Sequence, residues 1–293
     1  MPQGMIVRTA SALFAVKSGD AIYECRPRGR FRRDGVAPMA GDQVLFEVQK
    51  DGSGVLTEIL PRRNSLVRPL VANVDKLILV CSAAPPVTGL QLIDSFTALA
   101  AMKGIEPVIC VNKTDLDGAA DLIGLYRGLG YVTIPVSAAT GEGLDQLAAC
   151  MRGVFCVLTG NSGVGKSSLF NGLFPGVKVR TGELSQRIGR GRQTTRHVEL
   201  LPTADGGYLA DTPGFSSFDP VEMEMTDAAR LPYCFPEFVP YLGSCRYNDC
   251  SHVRDEGCAV LRAMSEGKIA HSRHESFTYL YNSVKDLRAW NSK

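Results

Sequence analysis

The run GNSGVGKS at residues 160–167 sets three glycines, a lysine and a serine at the spacing a polyphosphate requires. Glycines at 160, 163 and 165 let successive backbone N–H groups turn inward around phosphate oxygens. Gly160, Asn161, Ser162, Gly163, Val164 and Gly165 therefore read as a phosphate cradle. Lys166 can reach the β- and γ-phosphates, and the Ser167 hydroxyl is placed for Mg²⁺. Ser168 closes the set, on a helix whose N-terminus adds partial positive charge. The apolar run VFCVL (154–158) precedes the loop and SSLFNGLF follows it, a strand–loop–helix setting that a Gly-rich structural turn would not need.

A second set of residues addresses the base. VNKTD at 111–115 follows the buried-strand run PVICV, which puts Asn112, Lys113 and Asp115 at a strand's C-terminal end. The Asp115 carboxylate can accept from both N1–H and the exocyclic amine of guanine, a donor pair that adenine lacks, so GTP and GDP are expected ligands. The Lys113 stem can cover one face of the base, and Asn112 can tie this loop to its neighbours. Alone, NKTD would more often be a helix-capping turn. Its weight comes from the phosphate loop and from Ser137 and Ala138, which follow a second β-rich stretch, Tyr131–Val136.

Two γ-phosphate sensors lie downstream. In YLADTPG (208–214), Asp211 would hold Mg²⁺ through water and the Gly214 N–H would meet the γ-phosphate. In GRGRQTTRHVEL (189–200), Thr195 is the expected switch threonine on Mg²⁺, with Thr194 the close alternative. The base motifs thus precede the phosphate loop, whereas ordinary guanine-nucleotide-binding proteins have the reverse order. The chain reads as a circularly permuted GTPase.

Three of the nine cysteines cluster with one of the four histidines as C-x4-C-x-H-x5-C: Cys245, Cys250, His252 and Cys258. Thiolate and imidazole ligands suit tetrahedral zinc, one ion per chain, and four protein ligands mark a structural site. His197, His271 and His274 read as ordinary polar positions.

The elements that must position these groups fall into three parts. Residues 1–68 show short β-rich stretches (SALFAVKS, AIYECRPR, DQVLFEV, SGVLTEIL) broken by Gly, Asp and Pro, which suggests a small antiparallel barrel of the OB type. Its RPRGRFRRDG segment places Arg26, Arg28, Arg30, Arg32 and Arg33 around Phe31, suited to phosphate contacts and base stacking or to a merely solvated charged face. PRRNSLVRP at 61–69 reads as a linker with its own basic cluster. Residues 69–222 alternate apolar strand runs with amphipathic helices at Leu90–Met102, Asp121–Leu129 and Leu144–Met151, as an α/β GTPase domain demands. Residues 223–293 carry the zinc cluster and a helical end. A net charge of +2 confines any nucleic-acid contact to local patches. No apolar stretch approaches a membrane span, no signal-peptide core opens the chain, and the cysteine usage fits a reducing cytoplasm.

Barrel, permuted GTPase motifs and a cysteine–histidine tail together resemble the ribosome small-subunit-dependent GTPase A (RsgA) family. The likeness rests on NSLVRPLVANVDKLILV, NKTD, GNSGVGKSSL, TGELSQRIGRGRQTTRHVEL, DTPGF and the cysteine–histidine set. It implies a monomeric bacterial factor that docks on the small (30S) ribosomal subunit and its rRNA late in maturation and hydrolyses GTP there. Phe215 stands where many GTPases place a water-orienting Gln, and Gln193 stands where the family has a His before the paired threonines. The expected catalytic set is Gln193, Thr195 and Lys166. A nucleotide-gated RNA-binding module with incidental turnover is the rival reading.

Overall fold

The computed structural model describes residues 1–10, 13–29, 31, 37–116, 118–175, 197–211 and 218–286. Five strands, β1 (Gln3–Ala10), β2 (Leu13–Ser18), β3 (Ala21–Pro27), β4 (Gln43–Val48) and β5 (Gly54–Ile59), close into a barrel in the order β1-β2-β3-β5-β4-β1. Alternating positions such as Ile6, Phe14, Val16, Val44, Phe46 and Leu56 fill its interior. Phe31 is also buried there at 8% exposure, so it packs the barrel instead of offering an exposed ring for base stacking. Arg26 and Arg28 are exposed, and Arg28 pairs with Glu47 at 2.7 Å. Arg30, Arg32 and Arg33 lie outside the described residues.

The linker holds a hairpin, β6 (Ser65–Val67) and β7 (Leu70–Ala72), and its arginines fasten neighbouring parts. Arg62 grips the fully buried Asp42 through two bonds of 2.7 and 2.8 Å, Arg63 pairs with Asp75, and Arg68 pairs with Glu222. What reads in sequence as a basic cluster is thus largely a set of internal ion pairs.

Next come β8 (Lys76–Ser82), α1 (Leu90–Lys103), β9 (Glu106–Asn112), α2 (Ala119–Gly128), β10 (Val132–Pro135), α3 (Leu144–Cys150), β11 (Phe155–Thr159) and α4 (Lys166–Leu173). They are followed by β12 (His197–Pro202) and β13 (Tyr208–Asp211). The strands lie in the order β10-β9-β8-β11-β13-β12, parallel except for β12. β8, β9 and β11 are almost continuously buried apolar runs because helices or the C-terminal module cover both faces. Strand order reverses between β8 and β11, and the crevice at such a switch point is where open α/β sheets bind ligands.

The sheet does not stop at β12. Barrel strand β1 pairs antiparallel with it, in the register Arg8↔Glu199, Thr9↔Val198 and Ala10↔His197, and Thr9 Oγ1 accepts from the Val198 N–H at 3.0 Å. Barrel and GTPase strands therefore form one eleven-stranded sheet.

The C-terminal module comprises two 3₁₀ turns (Leu231–Cys234 and Val239–Tyr241), α5 (Ala259–Ser265) and α6 (His271–Val284). Phe235, Phe238, Phe277 and Leu280 join the same apolar core as Ile93, Phe96 and Leu99 of α1. Within that contact the fully buried Arg273 of α6 pairs with Asp94 of α1 and with Glu237, both at 2.6 Å. Among the described residues no helix is long and apolar enough to cross a membrane, and all nine cysteines are free thiols.

Candidate nucleotide site and metal centre

Strand β11 delivers the phosphate loop and α4 receives it, with Gly165 as the left-handed junction (φ 96°). A Cβ at Gly165 would lie 2.2 Å from Asn112 Nδ2, and one at Gly160 would lie 2.2 Å from the Val80 carbonyl. Neither close approach tolerates a side chain. Lys166 is buried and its Nζ donates to the carbonyls of Gly160, at 2.8 Å, and Asn161. Burial pulls its pKa down to about 8. Ser162 and Gly163 are exposed, while Ser167 and Ser168 are half-buried in the first turn of α4.

The base-reading residues meet this loop directly. Asn112, 2% exposed, donates to the Val164 carbonyl at 2.8 Å and accepts from the Ala138 N–H at 3.0 Å. One amide thus ties together the phosphate loop, the NKTD loop and the Ser137-Ala138 loop. The buried Ser137 hydroxyl donates to Asp115 Oδ1 at 2.6 Å, which orients an otherwise exposed carboxylate. Lys113 Nζ donates to the Pro85 carbonyl at 2.6 Å in the loop between β8 and α1, laying its stem along the crevice. Proline 85 and its neighbour Pro86, which a Cβ on Gly163 would meet at 2.9 Å, form a wall that the motifs did not announce.

Asp211 ends β13 next to β11, at the same end of the sheet as the phosphate loop. Gln193, Thr194, Thr195, Gly214 and Phe215 lie outside the described residues. Of the magnesium ligands expected from sequence, Ser167 is the described one.

Cys245, Cys250, His252 and Cys258 converge, their ligand atoms all within 4.8 Å of one another. Cys245 Sγ and Cys258 Sγ are each 3.5 Å from His252 Nδ1 and 3.9 Å from each other. Zinc–sulfur bonds of about 2.3 Å and zinc–nitrogen bonds of about 2.0–2.1 Å give tetrahedral edges of about 3.5–3.8 Å, so these residues fit the ion. The Ala259 N–H donates to Cys245 Sγ at 3.3 Å, and His274 Nε2 donates to the His252 carbonyl at 2.8 Å. His274, an ordinary polar position by sequence, thus buttresses the metal loop from α6. Its burial at 7% has no sequence signal beyond the i, i+3 spacing to Phe277.

Comparison with known proteins shows the family. A family model described as RsgA GTPase matches residues 59–221, and one described as RsgA N-terminal domain matches residues 3–56. A curated protein of Caldanaerobacter subterraneus subsp. tengcongensis is 41% identical over 97% of this chain and 96% of its own length. One of Geobacillus thermodenitrificans is 43% identical over 98% and 99%. Both bear the name small ribosomal subunit biogenesis GTPase RsgA. The crystal structure of YjeQ from Thermotoga maritima superposes with a TM-score of 0.81 at 35% identity, covering 97% of this chain and 98% of that one. YloQ, described as a circularly permuted GTPase, gives 0.78 at 33% identity, covering 98% and 96%.

Proposed function

The chain belongs to the RsgA family of circularly permuted GTPases, and on that premise we propose that it acts in the cytoplasm on the small ribosomal subunit during its biogenesis, with hydrolysis stimulated by that particle. The observation that carries this reading is similarity over nearly the whole chain, at about two residues in five, to proteins named for that role, supported by the Asn112 amide that joins the phosphate loop to the base-motif loops.

In this reading the phosphate loop from Gly160 to Gly165 presents N–H groups to the β-phosphate, and Lys166 exchanges its loop carbonyls for phosphate oxygens. Asp115, oriented by Ser137, takes the guanine edge. Mg²⁺, held by Ser167, Thr195 and, through water, Asp211, would neutralise charge between the β- and γ-phosphates. Gly214 senses the γ-phosphate, and Gln193 orients the attacking water when the small subunit is bound. Cys245, Cys250, His252 and Cys258 would hold one zinc ion as a closed set, and its binding would supply folding free energy to the tail. Division at residues 68 and 222 into barrel, GTPase and zinc domains stands with the same reading, as do a monomeric state and contact with rRNA through the exposed barrel arginines.

Single-turnover GTP hydrolysis with and without purified small subunits tests it. Stimulation by several powers of ten is expected, since ordering the water and the transition-state charge is worth about 10³–10⁵ in related systems. An equal rate in both reactions would instead favour a nucleotide-gated binding module.

A further inference from the structure

Elements that flank the base site are joined behind it by one guanidinium from the C-terminal module. β8 leads through Pro85 into α1, β9 ends at Asn112 and leads through Lys113 and Asp115 into α2, and β10 leads into Ser137 and Ala138. Asp94 of α1 accepts from the Tyr126 hydroxyl of α2 and from Arg273, each at 2.6 Å on the same oxygen, Oδ1. Tyr131, directly ahead of β10, meets Arg273 Nη2 through its hydroxyl at 3.2 Å. Glu237 holds the other edge of Arg273 at 2.6 and 3.2 Å, and the Phe235 ring packs 4.6 Å from its guanidinium carbon.

Asp94, Tyr126 and Arg273 are fully buried, in surroundings that make each bond directional and costly to leave unmade. Asp94 Oδ2 has no hydrogen-bond partner among the described residues, so its carboxylate depends on Arg273 for its charge partner. Two of the three elements so joined also meet at the base: the loop entering α1 supplies the Pro85 carbonyl to Lys113, and the loop leaving β9 supplies Lys113 itself. A shift of α1 against α2 therefore moves Pro85 against the NKTD loop.

We propose that Arg273 is a positioning residue for guanine recognition, acting through Asp94 to fix the relative placement of the loops around Lys113, Asp115 and Ser137. The C-terminal module is then part of the base-reading apparatus from behind as well as a carrier of the metal. This rests on the reading of Asp115 as the guanine ligand.

The experiment compares binding of GDP and of inosine diphosphate, which lacks the exocyclic amine, in the full chain and in Arg273→Met, Glu237→Gln and Tyr131→Phe. In the wild type GDP is expected to bind on the order of tenfold tighter or more, because inosine leaves one Asp115 bond unmade. Arg273→Met should reduce that preference about fivefold, within the range usual for coupling between sites, with Glu237→Gln and Tyr131→Phe moving it the same way by less. A purely structural role would weaken both ligands alike and leave their ratio unchanged. By reciprocity, GDP should slow amide exchange in α6 of the wild type and do so less in the variants. If Arg273→Met does not fold, the two milder variants decide. A wild-type preference retained in them overturns the inference alone, whereas a wild type with no preference overturns the Asp115 reading and the inference with it.

Discussion

Lys166 has two competing sets of partners, the Gly160 and Asn161 carbonyls that it now meets and the phosphate oxygens of a nucleotide. With its pKa drawn down by burial to about 8 from 10.5, the charged form costs the fold stability below pH 8, and that cost disappears as pH rises toward 10.5. Nucleotide reverses the preference, because a polyphosphate favours the ammonium. GTP affinity should therefore be level below pH 8 and fall by up to about tenfold per pH unit above it, with proton uptake on binding. Calorimetric titrations in buffers of different ionisation enthalpy would measure both. At Asp115 the expected outcome is a change of base: Asp115→Asn should weaken GDP about 10- to 100-fold, the loss of bonds to a charged acceptor. The amide can donate to the carbonyl that replaces the guanine amine in xanthine, so competition between GDP and XDP should shift toward XDP.

Loops and helices explain why some of this was legible in sequence and some was not. The phosphate and base motifs are short segments whose backbone geometry is written locally in glycines and polar residues, so Gly160 to Lys166 and Asn112 to Asp115 fall where spacing puts them. Strands β9 and β11 and helices α1 to α3 start and stop within a few residues of expectation for the same reason. β1 is harder to see, because MPQGMIVRTA offers little alternation and its bulge between Ile6 and Arg8 breaks the period. Arg273 and Asp94 are 179 positions apart, and nothing local to either predicts the pairing. Phe31 is buried although an aromatic among arginines reads as exposed, because the barrel closes over it. Two element-level outcomes follow. Gly165→Ala combines a left-handed backbone, costing about 1–2 kcal/mol for a side chain, with a clash on Asn112, so it should lower the melting midpoint and abolish measurable GDP binding. Cys250→Ser should lose the metal, seen by elemental analysis, and raise amide exchange across residues 245–258. Helix α6 should keep most of its protection, because the Arg273 pairs and its apolar contacts with α1 are made by residues outside the metal loop.

Across the whole molecule, the barrel, the GTPase sheet and the C-terminal module are joined by different means. The module is bound through a shared apolar core and a buried ion network, and the barrel through backbone pairing of β1 with β12. A fragment beginning at residue 69 would leave the outer edge of β12 without its partner. An open edge is a template for another chain, so that fragment should self-associate with rising concentration, measurable by sedimentation velocity, while the full chain does not.

That pairing also has a bearing on synthesis. Proteins fold domain by domain as they emerge, N-terminal parts first. In this order of motifs β1 is made at the start and β12 after β8, β9, β10 and β11, so the strand that would otherwise present a bare edge emerges late and finds its neighbour already in place. With the barrel at the other end of the chain, that strand would wait with its edge bare. The chain protects this edge of its sheet by its timetable as well as by its geometry.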